Sequence, residues 1–146
     1  GHTFAGKFSG SGALIKTGAS TLTLTGDSSA FTGATIITAG TLALSGGASI
    51  ENSNGITVDG KLDIADTTTG ATIRTLQGGS MGEIALGARD LTVDQTADHS
   101  FAGRFSGSGA LIKTGASTLT LTGNSSGFAG STIITAGTLA LSGGAS

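Results

Sequence analysis

Internal repetition constrains this chain more than any other feature, because a sequence that repeats itself folds by stacking like on like. Residues 2–49 recur as residues 99–146, a shift of 97 positions, with six substitutions: Thr3 to Ser100, Lys7 to Arg104, Asp27 to Asn124, Ala30 to Gly127, Thr32 to Ala129 and Ala34 to Ser131. All six are mild and none touches a Leu, Ile or Phe. That is the pattern of a solvent-facing surface that drifts while an apolar interior is held.

A finer period lies inside the 97-residue unit. Thr21-Leu22-Thr23-Leu24-Thr25, Thr41-Leu42-Ala43-Leu44 and Lys61-Leu62-Asp63-Ile64 start 20 residues apart, and Asp90-Leu91-Thr92-Val93 follows after a longer insertion. Each alternates with period two and places two apolar side chains on one face, as a half-buried strand does. Ahead of each runs a second apolar strand ending in Gly18, Gly40, Gly60 or Gly87, and a third candidate strand covers 4–8, 71–76 and 101–105.

Two or three short strands in every 20 to 29 residues, with glycine turns and no helical period, predict an all-β chain. The expected fold is a right-handed single-stranded parallel β-helix, with about four rungs per repeat and a rod about 30 Å long at about 4.8 Å per rung. A β-sandwich also has many short strands. The β-helix is preferred because the rows Leu22/Leu42/Leu62/Leu91 and Leu24/Leu44/Ile64/Val93 would stack into ladders along the axis, with Leu119 and Leu121 extending them in the second copy. One β-helical unit is expected over 1–146, with repeat copies 2–49 and 99–146 and intervening rungs 50–98.

Composition agrees with narrow rungs. The chain has 27 Gly, no Pro, Cys, Trp or Tyr, and is dominated by Thr, Ser, Ala and Gly, which cannot fill a wide core. Only 11% of residues are charged and the formal net charge is −2, so there is no basic stripe to neutralise phosphates and nucleic acid is not an expected partner. No apolar run approaches the roughly 18 residues of a membrane span, and any targeting segment is expected outside these residues. The absence of Cys fits the cytosol and equally an exported chain that must stay threadable.

The run Gly12-Ala13-Leu14-Ile15-Lys16-Thr17-Gly18-Ala19-Ser20-Thr21-Leu22-Thr23-Leu24-Thr25-Gly26, followed by Phe31-Thr32-Gly33 and Thr35-Ile36-Ile37-Thr38-Ala39-Gly40-Thr41-Leu42, resembles the passenger-associated repeat of classical (type V) autotransporters. Residues 109–139 match equally well, and 56–96 resembles ordinary passenger sequence between such repeats. Two departures are Ser20/Ser117 where the family often has Gly, and Phe31/Phe128 where it often has Tyr. The resemblance implies a β-helical stalk at the cell surface or released outside it. It also implies a partner outside these residues, the chain's own C-terminal outer-membrane β-barrel, and a role in passenger folding and secretion. The parent would be an adhesin or self-associating virulence factor meeting a host surface or another copy. No enzymatic activity and no cofactor are expected of this segment, and end-to-end association through open rung edges is.

Other candidate sites are weaker. Thr21, Thr23 and Thr25 form a row of the kind used to bind ice, but Ala43 and Asp63 break it in the next rungs, so exposed-strand propensity explains it better. Asp59, Lys61, Asp63 and Asp66, and Asp90, Asp94 and Asp98, could serve a polysaccharide-acting β-helix enzyme or a metal, yet a Lys between two Asp reads as solvated charge pairing. His2 and His99 are about four rungs, roughly 19 Å, apart and cannot share a metal. Phe31 and Phe128 are expected to cover the core at a corner, with Asp27 and Asn124 capping the turn through their side chains. Lys16 and Lys113 share parity with apolar neighbours, and a buried unpaired ammonium is costly. Either a bulge turns Lys16 outward, or Leu14 is exposed and Ile15 buried.

Overall fold

A computed structural model describes residues 1–146. Alternating β-branched and apolar residues make strands of two to seven residues, and seven rungs wind past three faces. The first rung contains β1 (His2–Phe4) and β2 (Leu14–Lys16), the second β3 (Thr21–Leu24) and β4 (Ala34–Ile37), the third β5 (Thr41–Gly46) and β6 (Gly55–Val58). The fourth contains β7 (Lys61–Thr67), β8 (Ala71–Arg74) and β9 (Leu76–Gln77), and the fifth β10 (Glu83–Ala85), β11 (Leu91–Asp94) and β12 (His99–Phe101). The sixth contains β13 (Arg104–Ser106), β14 (Leu111–Thr114) and β15 (Thr118–Leu121), and the seventh β16 (Thr132–Ile134) and β17 (Thr138–Leu141). No helix occurs, and every strand pair is parallel. The chain is a parallel β-solenoid.

Face I is the sheet β1-β3-β5-β7-β10-β13. Face III is β2-β4-β6-β9, continued through a parallel bridge between Gly78 and Phe101 into β12-β15-β17. Face II has strands only from the fourth rung onward, β8-β11-β14-β16; in the first three rungs an irregular arm takes their place.

The main ladder on face I runs His2, Leu22, Leu42, Leu62, Ile84, Phe105. The expected row therefore holds through Leu62 and then departs. Leu91 and Val93 lie on face II, between Ala71 and Ile73 on one side and Leu111 and Lys113 on the other. Leu119 and Leu121 lie on face III, between His99 and Phe101 before and Leu139 and Leu141 after. The 29-residue step from Leu62 to Leu91 is one rung plus one face, not a rung with an insertion. Leu42, Leu62, Ile73, Ile84, Leu91, Val93, Phe101, Phe105, Leu111, Leu119 and Leu121 belong to one core cluster of 21 residues, with Leu22, Ala71 and Leu139 packed against it. Complete burial of such a Leu contributes about 2 kcal/mol through loss of apolar surface from water.

The two copies do not sit above one another. The Thr-Leu-Thr-Leu strand is β3 on face I of the second rung in the first copy, and β15 on face III of the sixth in the second. Four whole turns and two of three faces separate them, so 97 residues make about four and two-thirds turns, against the four rungs expected from spacing. The same sequence has been moved by a third of a turn around the coil.

Candidate functional site

The conflict at Lys16 and Lys113 is resolved in a third way. Neither a bulge nor an exchange of Leu14 with Ile15 occurs: Ile15 is 57% exposed, and the lysines keep the inward parity, Lys113 being only 1% exposed in the row Ile73, Val93, Lys113, Ile134. Each ammonium curls to the glycine corner at the end of its strand. Lys113 Nζ donates to the carbonyls of Thr114 (2.7 Å), Gly115 (3.0 Å) and, one rung on, Ala136 (3.2 Å). Lys16 Nζ does the same with Thr17 (2.6 Å), Gly18 (3.1 Å) and Ala39 (3.3 Å). Three carbonyl dipoles thus replace the water lost on burial. Burial still holds the Lys113 ammonium below the ordinary value of 10.5, and the nearby Asp94 carboxylate partly offsets this. The corner needs glycine at the next rung: Gly40 and Gly137 have φ of 69° and 68°, and a Cβ on either would come within 2.8 Å of the lysine Nζ.

The arm that follows forms the other half of the unit. Asp27 Oδ1 accepts from the amide of Ser29 (3.0 Å) and Asn124 Oδ1 from that of Ser126 (2.9 Å), closing the turn. Ser28 Oγ, buried, accepts from the amide of Phe8 (2.9 Å), and Ser125 Oγ from that of Phe105 (3.0 Å), each reaching one rung back. Phe31 stacks edge-on to Phe8 at 6.4 Å, and Phe8 lies 5.2 Å from Phe4; Phe128, Phe105 and Phe101 repeat this at 6.5 and 5.4 Å. Thr38 and Thr135 hydroxyls donate to the carbonyls of Lys16 and Lys113, both at 3.0 Å. At Gly33 and Gly130 the backbone lies against the carbonyls of Gly12 and Gly109, where no Cβ fits.

These contacts form a clamp that ties neighbouring rungs by their side chains, made in the same way on different faces. Ser28 and Ser125 were not singled out in the sequence, although their position one residue after an Asx turn residue was a usable signal. The remaining candidates serve the same end. Asp59 Oδ1 accepts from the amide of Gly79 (2.7 Å), Asp90 Oδ1 from Ala110 (2.9 Å) and Asp98 Oδ1 from Thr118 (2.8 Å), each about one rung away. Asp63 accepts from its own turn at Ala65. Lys61, Glu83 and Arg104 form an outward ladder, with contacts of 3.6 and 2.9 Å, and Asp94 lies 3.9 Å from Arg74. His2 and His99 pair with Leu22 and Leu119 on different faces. Two further polar staples escaped the sequence reading: Gln95, fully buried, exchanges hydrogen bonds with the amide and carbonyl of Leu76, and Thr75 joins Thr96 at 2.5 Å.

Comparison with known proteins identifies the clamp. The passenger-associated-transport-repeat family model matches residues 14–44 and 111–141, stretches that begin two residues before each clamp lysine and contain its serine, phenylalanine and both glycines. The chain is 38% identical, over 148 aligned positions, to the adhesin BmaC autotransporter of Brucella suis biovar 1 (strain 1330). That alignment takes in 94% of this chain and 4% of the Brucella protein, so the chain spans a small fraction of its relative's length. No solved structure matches.

Proposed function

The chain carries two passenger-associated transport repeats and is a segment of an autotransporter passenger exported across the outer membrane to the cell surface, and from that premise we propose that it serves as a rigid stalk whose repeats fasten each rung to the last. The parent is read as an adhesin, with this segment contributing reach and rigidity rather than chemistry. The observation that carries the reading is the duplication of one clamp on two faces: its contacts are confined to adjacent rungs, so it works wherever the coil places it.

On this reading, a rung leaving the C-terminal outer-membrane β-barrel meets a finished row of backbone donors and acceptors and an apolar ladder. The lysine and serine then close over it, and rung-by-rung closure favours outward movement without an energy source. Copies stacking end to end through the same rows belong to this reading. The test is to replace Lys16, Ser28, Lys113 and Ser125 together by Ala in the parent protein and follow surface-exposed passenger against time. Slower appearance with an unchanged amount of membrane-inserted barrel is expected; wild-type export kinetics would refute the export role.

A further inference from the structure

In a β-solenoid each strand is normally covered on both edges, yet β8 has a rung on one side only. Ala71 and Thr75 donate their amides to Asp90 (3.1 Å) and Asp94 (2.9 Å) in the fifth rung. Parallel pairing alternates, so Thr72 and Arg74 turn their amides toward the third rung. There the chain is the arm 46–54, and neither amide has a hydrogen-bond acceptor. The space between is a half-open groove of about 370 Å³, bounded by the arm at Gly46, Gly47 and Glu51 and by Gly70, Thr72 and Asp90. That size is at the low end of ligand sites, about 300–1,000 Å³. The groove's only charged side chains, Glu51 and Asp90, are acidic and exposed.

From this geometry we infer that the β8 edge is a docking site for an extended peptide carrying basic side chains, which adds a strand where the third rung omits one. The free amide of Thr72, which lines the groove, supplies the main-chain recognition, and Glu51 and Asp90 select the charge; Arg74 lies at the groove's end, where its guanidinium donates to Asn52 Oδ1 of the arm at 3.4 Å. Gly46 and Gly47, beside which nothing lies within 4 Å, leave the approach open. The inference rests on rungs three to five and is independent of any role in export.

The test titrates a capped hexapeptide of alternating lysine and valine into the 146-residue chain at low salt, followed by amide NMR and hydrogen exchange. Saturable shifts centred on residues 70–72 are expected, with about tenfold slower exchange at the Thr72 amide. Thr72→Pro removes one donor at an edge position where proline is tolerated, and abolishes binding with the fold intact. Glu51→Gln weakens binding about threefold and lowers its salt dependence. Absence of saturable binding to the wild type, shifts elsewhere, or a folded Thr72→Pro variant that binds as the wild type overturns the inference. Binding of a neutral oligosaccharide in place of the peptide overturns it too. If Thr72→Pro fails to fold, the exchange rates of the wild-type amides decide alone.

Discussion

The ammonium of Lys113 lies 3.2 Å from the carbonyl of Ala136, 23 residues later in sequence and one rung further along the axis. Lys16 stands in the same relation to Ala39, on a different face. An inward lysine in a row of Ile and Val is tolerable here because glycine corners offer carbonyls at the reach of a four-carbon stem. Once placed, it becomes a cross-rung tie that an apolar side chain of equal volume cannot make.

Lys113→Met therefore keeps the packing and leaves three carbonyls without their charged donor. It is expected to lower stability by about 2–4 kcal/mol. Lys16→Met, at a half-buried site, should lose about 1 kcal/mol. Urea unfolding of each variant, read by hydrogen exchange at the flanking rungs, gives both values; equal losses at the two positions would contradict the burial argument.

The depressed Lys113 titration fixes a direction with pH. In the folded chain the group releases its proton at a pH below 10.5, whereas the unfolded chain still holds it, so the unfolded state binds more protons in that window. Stability attributable to this residue therefore rises with pH between the lowered folded value and 10.5, and is flat below it. Asp94→Asn removes the opposing carboxylate, lowers the folded value further and widens the window. Urea midpoints of wild type and Lys113→Met measured across the alkaline range test this; a difference that does not change with pH would be inconsistent with it.

Thr75 is the one non-glycine residue at positive φ, 47°, and it is β-branched. Its hydroxyl also accepts from the amide of Thr96 at 3.2 Å. Two substitutions should therefore act in opposite directions. Thr75→Asn suits the left-handed region and stabilises by about 1 kcal/mol, while Thr75→Val keeps the strain, loses the acceptor and destabilises by about 2 kcal/mol. Thermal midpoints on the same chain distinguish them.

Ser28→Ala and Ser125→Ala each strand a backbone amide, that of Phe8 or Phe105. Each should lower stability by about 1–2 kcal/mol, and the two losses should add because the sites lie between four and five turns apart. Faster exchange confined to the amide left unpaired is the local readout. A loss at one site only would mean that the two clamps are not equivalent.

The strands and the first half of the face I ladder were legible in the sequence because Leu22, Leu42 and Leu62 recur at 20 with strict alternation. The ladder was lost at Ile84, whose strand Glu83-Ile84-Ala85 has a single large apolar residue and comes 22 residues after Leu62. A period-two pattern says which side of a strand is buried and nothing about which face of the coil the strand occupies. That depends on the summed lengths of all preceding rungs, where one or two extra residues per rung accumulate. The turn residues Asp27 and Asn124 were visible because Asx chemistry is local. The lysine clamp was not, since its third acceptor lies 23 residues away and exists only once the next rung is in place.

The two-thirds remainder in the 97-residue step has a geometrical consequence. A rod extended at that spacing would return the motif to its starting azimuth only after three copies, or 14 turns, about 67 Å along the axis. Its arms would ascend like the treads of a spiral stair, one to each side in succession. Any bulge or stiffness they introduce would be averaged around the circumference, and such a rod would grow straight.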